Sequence, residues 1–510
     1  MTVVKESTIL SALWHAILWL WNQLTDCFVG RFVAWVWRGG RGSALIGIVR
    51  REGALDKQWQ DSKWFRFIDR ILNAPGTFCK FLRRKTEKYG DSWVFGALGW
   101  IGRHYALFGG LAFAGMLLMW SELWNNLYAV LAVLALLVLL YIGQARKKQR
   151  RIETVAAGPY LPIYILMVLY AFISSPARSD SLRFLLFQLT CVVIVYLMVS
   201  GLTDMKDLRV FIRILLAAVT VMGLIGCYQR VLGVEPDDSL VDMTLDLNKN
   251  MPGRVYSTFE NPNNFAELLV LTIPLYLAEI LSAKRTGAKL LAFVCMLPPL
   301  VAMAMTYSRS GWIGLMIAVL LLVAMKNWRL LPVIFILGLA ALPFLPASIY
   351  NRILSIGSTE DSSTIFRLDI YEAFFRLLRD KWLTGVGLGS DVVYNTIKYY
   401  PQMRNGYFPI HAHNNYVQIL AEMGALGLLS YVALVLNSFK RGVKAVCARL
   451  LPKGAENYTA ALVGSLAGIL VVGIAEYTWF YPRVMFMSWA VIGLIAASVH
   501  IGKREVETLG

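Results

Sequence analysis

Charge is scarce in this chain. Only 16% of its 510 residues are Asp, Glu, Lys or Arg, 57% are hydrophobic, and the mean hydropathy is +0.56. Soluble domains run near a quarter charged and about half apolar, so a soluble globular or disordered chain is excluded. Cysteine is also sparse: Cys191, Cys227 and Cys295 fall in apolar runs and Cys27, Cys79 and Cys447 in basic segments, with no metal-ligand spacing and no evident disulfide framework. Histidine is rarer still, and no acidic or histidine cluster has metal spacing. His411 and His413, two apart, are a weak zinc signal. No carboxylate pair suited to glycoside hydrolysis stands out in the segments read below as outer loops. "GVGLGS" (385–390) follows a helix instead of a strand and lacks the phosphate-loop lysine, so it reads as a turn. The first 30 residues lack a compact apolar core followed by small residues, so no cleavable signal peptide is expected.

What the chain does have is long apolar runs, each of roughly 18 residues or more and able to cross a bilayer as a helix. Twelve are read, near 105–120, 124–143, 158–175, 182–201, 210–230, 264–281, 290–307, 312–326, 330–347, 416–436, 459–475 and 484–501. The fold class is an all-α polytopic membrane protein with about twelve transmembrane helices. With twelve spans, "QARKKQRR" (144–151), "SAKRTGAK" (282–289), "KNWR" (326–329), "SFKRGVKAVCARLLPK" (438–453) and "GKRE" (502–505) all face one side. Excess Lys and Arg marks the cytoplasm. Both termini are therefore expected inside, and the net charge of +18 needs no nucleic-acid partner.

The outer side then receives a loop at 231–263, the turn "YSRSG" (307–311) and a large loop at 348–415 between the ninth and tenth spans. A connector that long is usually functional or disordered. Its stretch "STIFRLDIYEAFFRLLRDKW" spaces Ile365, Leu368, Phe375 and Leu378 as one face of a helix, which favours an ordered subdomain. Residues 1–104 stand apart. "ALWHAILWLWNQL" is rich in Trp, and Lys and Arg are dense from Arg31 to Lys88, as suits helices lying on an anionic inner leaflet. The alternative is an extra span at 8–36.

The candidates for chemistry lie in the outer segments. His411 and His413 precede the tenth span, where Asn414 and Asn415 can cap the helix start. Arg309 lies in a turn too short to leave the membrane boundary, and its outer position runs against the charge bias. If Ser363 or Thr364 caps the loop helix, Arg367 falls in its first turn, where a cation opposes the dipole by about 0.3–1 kcal/mol. Arg254 sits in "GRVYSTFENPNNFAELL", which leads into the sixth span through Pro262 and the amides of Asn261, Asn263 and Asn264; these amides serve equally as loop and cap. Arginine's planar fork fits phosphate oxygens, and imidazole can take a proton near neutrality. Together they suit a diphosphate leaving group and a hydroxyl nucleophile.

Four segments resemble the O-antigen ligase and polymerase superfamily of bacterial membrane proteins. They are "RVYSTFENPNNFAELL", "TYSRSGWIGL", "FRLDIYEAFFRLLRDKWLTGVGLGS" and "HAHNNYVQILAEMGALG", the last with His413, Asn414 and Gly424 in a His-Asn, nine-residue, Gly pattern. They span roughly 250–430; residues 1–104 have no recognised counterpart. The resemblance implies a GT-C-like, metal-independent, inverting glycosyltransferase without a cofactor. Its donor would be a glycan on a polyprenyl (undecaprenyl-type) diphosphate, and its acceptor a glycan, lipid or protein. Membrane lipids would surround it. By the family's pattern His413 is the base and Arg309 and Arg367 hold the departing diphosphate. Arg254, Asn261, Asn263, Asn264, Tyr307, His411 and Asn414 would bind substrate. His411 departs from the single-histidine pattern, so an exchange of roles with His413 stays open. The division between 1–104 and a transferase domain at 105–510, in the bacterial cytoplasmic membrane with the site outside, follows from the same reading. Ligase and polymerase are not separable here. A transporter of a small anionic solute, such as bicarbonate, is the alternative; it is disfavoured because ionisable residues avoid the spans, apart from Glu267, Glu279 and Glu422 near span ends and Glu476.

Overall fold

A computed structural model describes residues 61–85, 104–146, 158–234, 251–356, 362–400 and 408–509, with the short stretches 58–59, 100–102 and 152–154 and the single positions 93 and 97. The Trp-rich stretch near the N-terminus, the alternative span at 8–36 and positions 235–250 of the loop at 231–263 lie outside the described residues.

The described residues form helices with no strand. In order they are α1 (Lys63–Lys85), α2 (Tyr105–Leu118), α3 (Asn126–Arg146), α4 (Tyr160–Ile173), α5 (Arg178–Gly201), α6 (Met205–Leu232), α7 (Pro262–Ser282), α8 (Thr286–Met305), α9 (Arg309–Asn327), α10 (Leu331–Ala341), α11 (Ala347–Leu354), α12 (Ser362–Lys381), α13 (Ser390–Ile397), α14 (Asn415–Cys447), α15 (Lys453–Val472) and α16 (Pro482–Leu509). A helix occupies each of the twelve predicted spans. Eight stretches are long and apolar enough to cross a membrane, and α2, most of α3 and α4 are shorter apolar helices. The chain is a multi-pass membrane protein.

One of those eight stretches, Arg309–Phe344, folds back on itself. Unbroken, its 36 residues would reach about 54 Å at 1.5 Å per residue. Yet Tyr307 Oη stands 3.0 Å from Ser348 Oγ, and Arg309 reaches the Ser355 carbonyl at 2.8 Å. The reversal falls at Asn327, whose φ of −158° and ψ of 89° are not helical. α9 and α10 are thus two antiparallel passes.

α7, α15 and α16 form the centre, and their inward faces are fully buried. α9 packs closely on α15 because both present small residues at four-residue spacing, Gly314 and Ala318 against Gly464 and Gly468. A Cβ at Gly464 would stand 2.4 Å from the Ala318 carbonyl oxygen.

Contacts sort the helix ends into two sets. The starts of α7, α9, α14 and α16 lie with α11 and α12 at one end. The starts of α6 and α15 and the ends of α7 and α9 lie at the other. The Lys- and Arg-rich connections at 282–289, 326–329 and 438–453 belong to that second set.

The outer-loop helix α12 forms where expected but with a different buried face. Ile370, Phe374, Leu377 and Leu378 make its core contacts, whereas Ile365, Leu368 and Phe375 are exposed. The predicted stripe and the true one are neighbours on the helix, and packing against α13 and α14 chose between them. α12 also begins at Ser362, so Arg367 lies in its second turn instead of its first.

Candidate functional site

Six separate chain segments converge at the end away from the basic connections. Asn261 caps α7 by accepting from the Asn263 amide, with Pro262 at the first helical position. That cap presents Asn263, whose Oδ1 accepts from the Arg254 guanidinium. Arg254 is buried and also donates through Nε to the Thr306 carbonyl at 2.7 Å. Ser308 caps α9, making Arg309 its first helical residue. Tyr307 just ahead is held at φ 50°, a conformation uncommon for a bulky side chain. Its carbonyl accepts from Arg352 of α11 at 3.3 Å.

Glu476, between α15 and α16, ties the cationic side to the histidines. Its Oε1 accepts from Arg367 at 2.6 Å and from Asn263 Nδ2 at 3.4 Å, and its Oε2 lies 3.3 Å from His413 Nδ1. Burial raises the Glu476 carboxyl, but Arg367 and the two imidazoles outweigh it and hold the group below the ordinary carboxylate range. A charged carboxylate at Nδ1 selects the tautomer with the proton on that nitrogen, which leaves Nε2 as an acceptor. Burial, then Arg352, pull Arg254 down to about 9, with Arg309 and Arg367 adding to the effect and Glu476 opposing it. Cationic groups are concentrated here.

His411 is a different kind of group. Its ring lies 4.2 Å from that of His413 and 4.5 Å from Phe480, and its Nδ1 accepts from the His413 amide at 3.3 Å. Burial and the adjacent His413 push it down to about 3, with Glu476 opposing. It stays neutral across the physiological range.

The imidazole is fixed by backbone strain and a buried polar network. His413 has φ 44°, a strained geometry that persists only where surroundings over-determine it. The preceding amide, Ala412 N, donates to Gln418 Oε1 at 2.9 Å, and Gln418 Nε2 donates to Glu422 at 2.8 Å. Glu422 also accepts from Tyr477 Oη at 3.1 Å and Gly389 N at 3.0 Å. One carboxylate thus links the histidine segment, the neighbour of Glu476 and the Gly-rich turn. That turn docks where α14 breaks at Gly424 (φ 71°), with Val386 N donating to the Ala421 carbonyl at 2.8 Å and Gly387 N to the Glu422 carbonyl at 3.1 Å. A Cβ at Gly424 would stand 2.1 Å from the Leu383 carbonyl oxygen, so only glycine fits.

The sequence candidates divide accordingly. Arg254, Arg309, Arg367, His411, His413 and Asn263 come together. Asn414 caps α14 by accepting from Tyr416 N and Val417 N and donates to the Ile474 carbonyl at 2.8 Å, while Asn415 donates to Thr478. Asn261 is a cap, Tyr307 lends its backbone, and among the described residues Asn264 makes no hydrogen bond to the cluster. Two residues were missed in these roles: Arg352, which sits in the last turn of a short amphipathic helix where a cation suits the dipole, and Glu476, read only as a span-end charge. Among the described residues no three His, Cys, Asp or Glu side chains form a metal-binding group.

Residues 291–432 match the family described as O-antigen ligase. The match contains Arg309, Arg352, Arg367, His411 and His413, and leaves Arg254 and Glu476 outside it. No curated protein matches the chain. An O-antigen ligase domain match set in a multi-pass helical fold supports a relation to the O-antigen ligase and polymerase superfamily and, in general terms, a role in glycan transfer.

Proposed function

We propose that this chain moves a glycan from a polyprenyl diphosphate carrier to an acceptor hydroxyl at the outer face of the bacterial cytoplasmic membrane. The observation that carries the reading is the gathering of Arg254, Arg309, Arg352 and Arg367 beside the His413–Glu476 pair, at the end opposite the Lys- and Arg-rich connections. By the charge bias of short loops those connections stay inside. That leaves residues 105–510 as the transferase domain, the loop at 348–415 outside, and both terminal segments in the cytoplasm.

His413 Nε2 takes the proton of the acceptor hydroxyl while that oxygen bonds to the anomeric carbon. The bond from that carbon to the diphosphate oxygen breaks, and its electron pair leaves with the diphosphate. A single displacement of this kind inverts the anomeric centre. No general acid is needed, because a diphosphate departs unprotonated; fixed guanidinium groups stabilise the charge that develops on it. They occupy the role a divalent cation would otherwise fill, so the reaction is metal-independent in this proposal. Arg367 Nε is buried with no hydrogen-bond partner among the described residues, a donor that a phosphate oxygen would satisfy. Glu476 orients the imidazole and Arg367 together. Neutral, buried His411 is a spacer against which the base is packed, which favours His413 over His411 as the base.

The test is a purified assay with a polyprenyl-diphosphate-linked glycan and candidate acceptors. Release of free polyprenyl diphosphate, in step with an acceptor of increased mass, is expected in chelator as well as in magnesium. Strict dependence on a divalent cation, or product of retained configuration, would sink this mechanism.

A further inference from the structure

α1 divides into three stripes. The first is docked: Asp69 Oδ1 accepts from Thr154 Oγ1 at 2.9 Å, Asn73 Oδ1 accepts from Ile152 N at 3.0 Å, and Tyr141 Oη donates to the Leu72 carbonyl at 2.6 Å. Gly76 and Asp69 are buried in this contact, at the spacing of one helix face. A second stripe, nearly half a turn round the helix, is formed by Trp64, Phe67, Ile71 and Phe78, and all four are more than half exposed, Trp64 at 71%. The third holds Lys63, Arg66, Arg70 and Lys80, also exposed. The partners at Tyr141 and 152–154 lie at the ends of α3 and α5, the latter through Glu153 N and Ser200 Oγ at 3.0 Å. This is the end away from the candidate site.

A water-facing helix has no reason to line up four large apolar side chains beside four cations. Contiguous exposed apolar surface of this kind marks an interaction site. We propose that α1 is a membrane-surface anchor whose exposed apolar stripe enters the headgroup boundary of an anionic leaflet, with the basic stripe on the lipid phosphates. Three features select a bilayer over another protein. The helix is clipped to the bundle by its polar contacts, so it lies at the height where apolar spans end. Its apolar and basic stripes adjoin, as in helices that lie in the interface. The nearby connections are themselves basic and face the same leaflet.

The experiment uses the full chain in nanodiscs of phosphatidylglycerol or of phosphatidylcholine, with Phe67→benzoylphenylalanine or Phe78→benzoylphenylalanine as a photocrosslinker. Lipid adducts at both positions are expected, severalfold more in phosphatidylglycerol. Raising NaCl should erase the difference without any further substitution, since salt screens exposed charge. Adding Lys63→Glu, Arg66→Glu and Arg70→Glu should lower the phosphatidylglycerol adduct to the phosphatidylcholine level. Adducts to residues 1–57 or to a second protein would overturn the proposal. So would equal lipid labelling in both discs at low salt.

Discussion

Charge is handled differently at the two ends of this protein. Away from the site it is matched across helices. Glu279 of α7 accepts from Arg213 of α6 at 3.1 Å and from Tyr458 of α15 at 2.6 Å, and Lys326 of α9 meets Glu456 of α15 at 2.6 Å. Each carboxylate there is satisfied by neighbours that staple one helix to another. At the site end Arg309, Arg352 and Arg367 gather near Arg254 and together disfavour its charge, with Arg367 also bonded to Glu476. Such crowding serves no packing purpose. A pair that neutralises itself is scaffold; a gathering of like charges is the arrangement the proposed diphosphate site requires.

That contrast can be broken most sharply at the base. His413→Ala is expected to cost about 10²–10⁴-fold in transfer, the usual contribution of a positioned base, with membrane accumulation unchanged. Normal transfer by this variant, followed as labelled glycan appearing on the acceptor, would remove the imidazole from the mechanism. Next come Arg309→Ala and Arg367→Ala. Loss of one preorganised donor to a developing oxyanion costs about 10²–10³-fold. Lys at either position should restore activity only partly, because the planar fork is missing. Full recovery would mean that charge alone suffices.

Ligand-linked stability addresses the comparison directly. Inorganic pyrophosphate at 100 times its Kd should stabilise the protein by about 2.7 kcal/mol, read as a rise in Tm. Arg254→Gln should abolish that rise. Glu279→Gln, at the other end, should lower the starting Tm, by loss of buried hydrogen bonds worth about 1–3 kcal/mol, yet keep the pyrophosphate-induced rise intact. A rise lost equally in both variants would make the two ends alike.

The smallest effect concerns acid. His411 titrates near 3 in the folded protein against about 6.5 ordinarily. Between those values the unfolded chain binds a proton that the folded one refuses, so stability falls as pH drops through this window. Glu476, held below its usual range, adds a loss of the same sign at still lower pH. Thermal melts at pH 7 and pH 5 should therefore separate less for His411→Gln than for the unaltered protein. An equal separation would indicate that His411 is protonated in the fold.

Much of this architecture was legible in advance because apolar length and basic-loop bias are local properties. All twelve predicted spans fall on helices, and the stretch with the family pattern around His413 lies inside the matched O-antigen ligase domain. The errors share one cause. The exposed stripe of α12 and its buried stripe are equally helical in spacing, and only the partner helices distinguish them. Arg352 looks like any cation in a helix's last turn until Tyr307 is seen beneath it. Glu476 carries no local mark at all; its importance comes from Arg367 and His413, 109 and 63 positions away.

The amino-acid order by itself determined that this chain enters a membrane as many apolar helices, and which residues could bear phosphate chemistry, because hydropathy, loop charge and side-chain functional groups act at short range. Which cations meet, which imidazole is paired and which is kept neutral were decided only by tertiary packing. Electrostatic coupling depends on distance and burial, and those arise when segments far apart in sequence fold against one another.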